Sequence, residues 1–203
     1  MLDEKWVRQV MEDGNSLDRF QNESGVFWRD ADGMLMEFEA DPENISDREN
    51  PYRNLYLKEL LIPEGIKQIG ALMYGFAKNE DELCLRYIRV YGKLQLPNTL
   101  TTIGASGFSD SFIAHMELPA SLREIGPGAM MHCRIHELRI PKGLPEPVWC
   151  WPENDQWEQA KRAGLACGGR QFKESTIDIL MAPENYPYQK LMPEAEIGKI
   201  VFY

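Results

Sequence analysis

Apolar and polar positions recur along the middle of the chain in a fixed order. Aligned on proline, four segments coincide: Leu57–Pro63 (LKELLIP), Tyr91–Pro97 (YGKLQLP), Ile113–Pro119 (IAHMELP) and Ile135–Pro141 (IHELRIP). Each reads L-x-x-L-x-L-P, with L a large apolar residue. The match continues three residues beyond each proline with Ile66, Leu100, Leu122 and Leu144. An Ile-Gly pair then follows in three of the units, at Ile69-Gly70, Ile103-Gly104 and Ile125-Gly126. The prolines stand at 63, 97, 119 and 141, so the steps are 34, 22 and 22 residues, and the first unit carries a twelve-residue insertion expected within residues 78–90. The alternation before each proline is the period of a short strand with one buried face. Proline ends it, having no N–H for a neighbouring ladder. The glycine marks a corner that a side chain would obstruct. One such unit buries too little to offset the entropy of ordering itself, so the units are expected to hydrogen-bond side by side, in parallel, as a solenoid.

The flanks read as caps on that array. In residues 1–54, Asp3 is expected to cap a helix carrying Trp6, Val7, Val10 and Met11 on one face, stopped at Gly14. Val26–Arg29 and Met34–Phe38 then flank Asp30-Ala-Asp32-Gly33 as a hairpin. An alternative register makes Leu35, Phe38 and Ala40 a degenerate first coil, with Asp41 lying 22 residues before Pro63. Residues 55–148 form the array. In residues 149–203 the Ile-Gly pair is gone and prolines interrupt the pattern. Residues 152–163 read as a helix, acidic at its start and basic at its end. Ile177–Pro183 and Ile197–Phe202 fit the strand pattern again and predict a resumed array.

These residues resemble the BspA-like, treponemal-type leucine-rich repeats, whose units read roughly L-x-x-I-x-I-P-x-x-V-x-x-I-G-x-x-A-F-x-x-C. The third unit carries the likeness best, through Leu118-Pro119, Leu122, Ile125-Gly126, Ala129-Met130 and Cys133. The second has Phe108 where the third has Met130, and Ser111 in place of the cysteine. The likeness covers residues 57 to 144. It departs in its 22-residue step and in lacking the asparagine ladder of the wider class, where Gly65, Thr99, Ser121 and Gly143 stand. With the repeat itself, the resemblance implies an α/β fold leaning to β: a right-handed leucine-rich repeat solenoid with short parallel strands and helix-bearing caps. It also implies adhesion or partner binding rather than catalysis.

Charge and composition narrow the function classes. Hydrophobic residues at 43% and charged ones at 27% are those of a chain that folds. A formal charge of −10 repels phosphate backbones and anionic lipid headgroups, so neither nucleic acid nor a membrane surface is the expected partner. The apolar stretch Ala71–Ala77 is far too short to span a bilayer. The opening residues Met1–Trp6 lack the basic start and apolar core of a secretory leader, so the expected location is the cytoplasm. A chain from which a leader had been removed would begin in the same way, and the cell surface is then the alternative. The cysteines at 84, 133, 150 and 167 form no C-x-x-C pair and read as reduced structural thiols.

No cofactor or metal is expected. His132, Cys133, His136 and Glu137 offer ligand types, but Cys133 falls on the buried repeat position and His136 at the outward start of a strand. Cys150 and Cys167 lack the basic partners of a nucleophile. Asp30-Ala-Asp32-Gly33 resembles the start of a calcium loop without its distal acid and reads as a turn. Residues 164–169 contain no phosphate-cradling glycine pattern, and no G-x-S-x-G is present. Trp149, Trp151 and Trp157 read as the cover of the array's apolar end.

The outward side of the strands remains. Two columns are expected to cross it, Glu59, Lys93, His115 and Glu137 in one, and Leu61, Gln95, Glu117 and Arg139 in the other. Strands about 4.8 Å apart would make neighbours of Glu59 and Lys93, of His115 and Glu137, and of Glu117 and Arg139. This face is the expected binding surface for a protein partner, with His115 beside Glu137 as a source of pH sensitivity. Two other readings stand beside it. One is a small acidic inhibitor or immunity-type protein for a basic partner. The other is an enzyme with its site in the flanks around Trp28, Trp151 and Cys167.

Overall fold

The computed structural model describes residues 6–11, 16–46, 55–70, 85–150 and 156–203. The chain opens with an antiparallel sheet of β1 (Val7–Val10), β2 (Ser16–Asn22), β3 (Gly25–Arg29) and β4 (Leu35–Ala40). From residue 55 the strands belong to two parallel sheets. In chain order they are β5 (Leu55–Leu57), β6 (Leu60–Leu61), β7 (Gln68–Ile69), β8 (Ile88–Gln95), β9 (Thr102–Ile103), β10 (Phe112–Glu117), β11 (Glu124–Ile125), β12 (Arg134–Arg139) and β13 (Pro147–Trp149). Helix α1 (Gln156–Ala163), β14 (Leu165–Cys167), β15 (Thr176–Ala182), helix α2 (Tyr188–Leu191) and β16 (Glu196–Phe202) complete the chain.

The larger sheet has the order β16-β15-β12-β10-β8-β5, with β6 also on β8. The smaller has the order β13-β14-β11-β9-β7. Every pairing in both is parallel. The repeat positions fill the space between them: Ile113, Met116, Leu118, Leu122 and Ile125 of one unit are all at most 3% exposed, as are their counterparts Ile135, Leu138 and Ile140 in the next. The Ile-Gly pair marks a close approach between coils. A Cβ on Gly126 would lie 2.6 Å from the Ala105 nitrogen and 2.8 Å from the Gly104 carbonyl carbon.

A polar column runs through this core. Ser111, Cys133 and Ser175 occupy matching positions before β10, β12 and β15. The Ser175 hydroxyl donates to the Met130 carbonyl, and the Cys133 thiol lies 2.9 Å from the Phe108 carbonyl oxygen. Each group reaches back to the preceding coil, which is why serine and cysteine interchange there. The first edge of the larger sheet is closed by side chains. Asn44 donates to the Glu59 carbonyl and accepts its N–H, while Asn22 and Ser24 do the same for Leu61. An edge so occupied is unavailable for strand addition.

Several expectations are corrected. Residues 7–10 form strand β1 rather than a helix; Val7 and Val10 are 63% and 70% exposed, so no apolar helical face is buried, and pairing with β2 decides the conformation. Trp6 supplies the anchor, its indole donating to the Glu64 carbonyl at 2.8 Å and its ring packing on Phe20. Asp3 and Gly14 lie outside the described residues. The hairpin forms as β3 and β4, with Asp30 Oδ1 accepting the N–H groups of Asp32 and Met34. That carboxylate is thus used by its own turn. The alternative first coil does not form, since Leu35–Ala40 pairs antiparallel with β3, and only Met34 bridges to Gln68 in parallel. Residues 85–90 of the expected insertion are a turn and the start of β8, not loop; 78–84 lie outside the described residues. The helix expected over 152–163 is seen as α1 from Gln156, its first residues also falling outside.

The resumed array is present as β15 and β16, each parallel to its predecessor. The 42-residue step from Pro141 to Pro183 is taken up by an excursion: β13 pairs outside β14, and α1 follows before β14 takes the place beside β11.

Candidate functional site

The outward face of the larger sheet follows from the spacing of its inward residues. Leu57 and Leu60, Ile113 and Met116, Ile135 and Leu138, and Ile177 and Leu180 are buried pairs three apart, leaving two consecutive residues between them. The second of these forms the register column Lys93, His115, Glu137, Ile179 and Lys199. Beyond the next inward residue, Leu61 lies beside Gln95, and Glu117 beside Arg139, which in turn lies beside Met181. Of the expected columns, the register aligns Lys93, His115 and Glu137 in one, and Leu61 with Gln95 and Glu117 with Arg139 in the other, and both rows continue onto β15.

The contacts within them are weak and solvated. Arg139 Nε lies 3.8 Å from Glu117 Oε1, both side chains being largely exposed, so this pair contributes at most about 1 kcal/mol. Lys93 donates along its own strand to Gln95 Oε1 at 2.9 Å. Glu59 is held through its backbone by Asn44. His115 is in register with Glu137, and its ring meets His136 edge-on at 5.8 Å. His136 Nδ1 in turn lies 3.0 Å from Asp178 Oδ2. His136 and Asp178 were missed because the expected columns used only one of the two residues between inward positions. The L-x-x-L spacing itself carries that signal.

Strand β8 differs from the other rungs. Its inward residues are Val90 and Leu94, four apart, and the register against β10 shifts between Ile113 and His115. One extra residue is accommodated as a bulge. The residue aligned with Ile113 is consequently Val90, fully buried, and not Tyr91, which is 52% exposed. The ring of Tyr91 stacks on Tyr56 at 6.1 Å and meets Phe112 at 5.5 Å, so three rungs share one aromatic row. Gly92 makes the bulge sterically accessible, because a Cβ there would lie 2.5 Å from the Lys58 carbonyl oxygen.

At the corners before the strands, Asp110, His132 and Glu174 share positive φ angles of 59°, 56° and 55°. His132 bridges the other two, with Nδ1 3.1 Å from Asp110 Oδ1 and Nε2 3.1 Å from Glu174 Oε2. Cys133 turns into the core, where burial pushes its thiol up to about 12. His132, Cys133 and His136 thus serve separate partners, and among the described residues no group of three or more ligand-type side chains could hold a metal ion.

The flanks show a covered face and an open groove. Trp157, 8% exposed, packs with Cys150, Ala160 and Ala166 over the smaller sheet, as a cover should. Beneath α1, Glu124 is 4% exposed; burial raises its carboxyl above the ordinary value, against the pull of Lys161 at 3.4 Å and a hydrogen bond from Trp157. Trp149 is 56% exposed, in a shallow groove of about 770 Å³ with Pro145, Pro147, Lys190 and Pro193. Cys167 is fully buried in β14 and its thiol is pushed up to about 12 by that burial. Trp28 lies in β3 of the antiparallel sheet, and Trp151 lies outside the described residues.

Residues 84–146 match a family model described as the BspA type leucine rich repeat region (6 copies). No curated protein and no solved structure matches the chain. No helix among the described residues is long and apolar enough to cross a membrane.

Proposed function

We propose, for a chain whose residues 84–146 are BspA-type leucine-rich repeats, a non-enzymatic protein–protein interaction module that binds its partner through the outward face of the larger sheet. The rungs stack as a right-handed solenoid; residues 1–54 and 149–203 close its ends, and 55–148 carry the array between them. The binding residues are Glu59, Leu61, Lys93, Gln95, His115, Glu117, Glu137 and Arg139. One observation supports this reading: the parallel rungs align Lys93 with His115 and Glu137, and Glu117 with Arg139, while their inward neighbours are consumed by the core. Extended repeat surfaces of this kind suit a large partner better than a small substrate. The buried, protonated thiols of Cys133 and Cys167 give no nucleophile to an enzyme reading.

The test is charge reversal at an exposed pair. Glu117→Lys with Arg139→Glu removes a solvated pair 3.8 Å long and the stacking of Arg139 on Tyr203 at 4.4 Å, a loss small enough for the fold to persist. The wild-type chain is used to capture its partner, which is identified by mass spectrometry, and the affinities of both forms for that partner are compared. At least a several-fold loss in the reversed form is expected. Equal affinity, with unfolding midpoints unchanged, removes this face from the reading.

A further inference from the structure

The aromatic row on the outward face stands beside a group of cationic side chains. Tyr56, Tyr91 and Phe112 lie on three successive rungs, and the residues in register beside them are cationic. Arg89 stands between Tyr56 and Phe112, and Arg134 follows Phe112 on the next rung. Lys93 lies two residues beyond Tyr91 on the same strand. Three cations are thus grouped beside the row on a chain with formal charge −10.

We infer that this corner is the energetic centre of the interaction surface and that it binds an acidic peptide segment of the partner protein; the inference rests on the strand-face reading above. Tyrosine and arginine together are the residues over-represented at binding hot spots. The Tyr56 and Tyr91 rings stack on each other at 6.1 Å, which turns one face of each into the row and leaves their electropositive rims beside the cations. A rim beside guanidinium groups suits carboxylates. A nucleic acid meets the repulsion of the whole chain. Arg134 is available for the contact: its side chain is 67% exposed and only 4.0 Å, a loose pairing, separates it from Asp178. Arg89 is pre-positioned, with Nη1 donating to the carbonyls of Asp110 and Ile88, so little side-chain entropy is lost when a carboxylate takes its remaining donors.

Selection of a displayed library of random short peptides on the full chain tests the inference, followed by fluorescence anisotropy of the recovered peptides. The expected pool is rich in Asp and Glu. Its binding weakens roughly tenfold in Tyr91→Ala and again in Arg134→Glu, as truncating a hot-spot residue does, and disappears when the acidic positions are replaced by lysine. Higher salt weakens it further. Both residues are exposed, so two variants guard against one that fails to fold. A neutral or basic pool, acidic binders indifferent to both variants, or no enrichment over a bare support overturns the assignment. Partner binding lost in the Glu117/Arg139 reversal but kept in Tyr91→Ala removes the aromatic corner alone. Binding kept in both removes the strand face as well.

Discussion

Lys161→Met should destabilise the protein in a way that depends on pH. Glu124 sits on the smaller sheet beneath α1, 4% exposed, with the Lys161 ammonium 3.4 Å away. At that distance and an effective dielectric of about 20, the attraction is about 5 kcal/mol. Lys161 is partly solvated and also shared with Glu158 at 2.6 Å, so screening reduces the loss to about 1–3 kcal/mol, below the 3–5 typical of a fully buried pair. For a chain of this length that is a fall of roughly 2–4 °C in Tm per kcal/mol. The sign with pH follows from the carboxyl. Burial already raises its pKa above the ordinary glutamate value, so the folded state favours the protonated form. The stability tied to that proton is fully present in acid and is lost as pH rises through the raised pKa. Removing the lysine raises the carboxyl further and makes the loss at high pH larger. Urea unfolding of the wild type and Lys161→Met at pH 4 and pH 8 measures this, and the difference should be small at the first and full at the second. Adding Glu124→Gln should restore most of it at pH 8. An equal penalty at both values, or no rescue, would refute the account of Glu124 as a buried charge held by one cation.

Two further outcomes follow from packing. Gly92→Ala should cost about 1–3 kcal/mol, because its Cβ would lie 2.5 Å from a backbone oxygen that cannot move without shifting β5 and β6; thermal unfolding decides, and an unchanged midpoint argues against the bulge. Cys133 and Cys167, with thiols held near 12, should resist iodoacetamide in the native protein at pH 8 and react only on unfolding, as followed by mass spectrometry. Rapid native alkylation of either would place it outside the core.

The sequence by itself determined the rung. The order L-x-x-L-x-L-P sets which side chains turn inward, because alternation and the missing proline N–H act within a few residues of covalent chain, and Leu138 or Glu117 can be placed from their neighbours alone. Columns such as Glu117 and Arg139 followed once the rungs were taken to be parallel. Tertiary structure decided what local spacing leaves open. Proline indexing placed Tyr91 inward, since a bulge conserves the pattern after it and is visible only against β10, where Val90 takes the buried place. Residues 7–10 suit a helix or a strand equally, and the partner β2 chose. The contact of His136 with Asp178 and the aromatic row of Tyr56, Tyr91 and Phe112 join residues tens of positions apart. A local pattern specifies which face a residue takes, whereas the neighbour it meets there depends on the register between strands, and that register is set by the packing of the whole core.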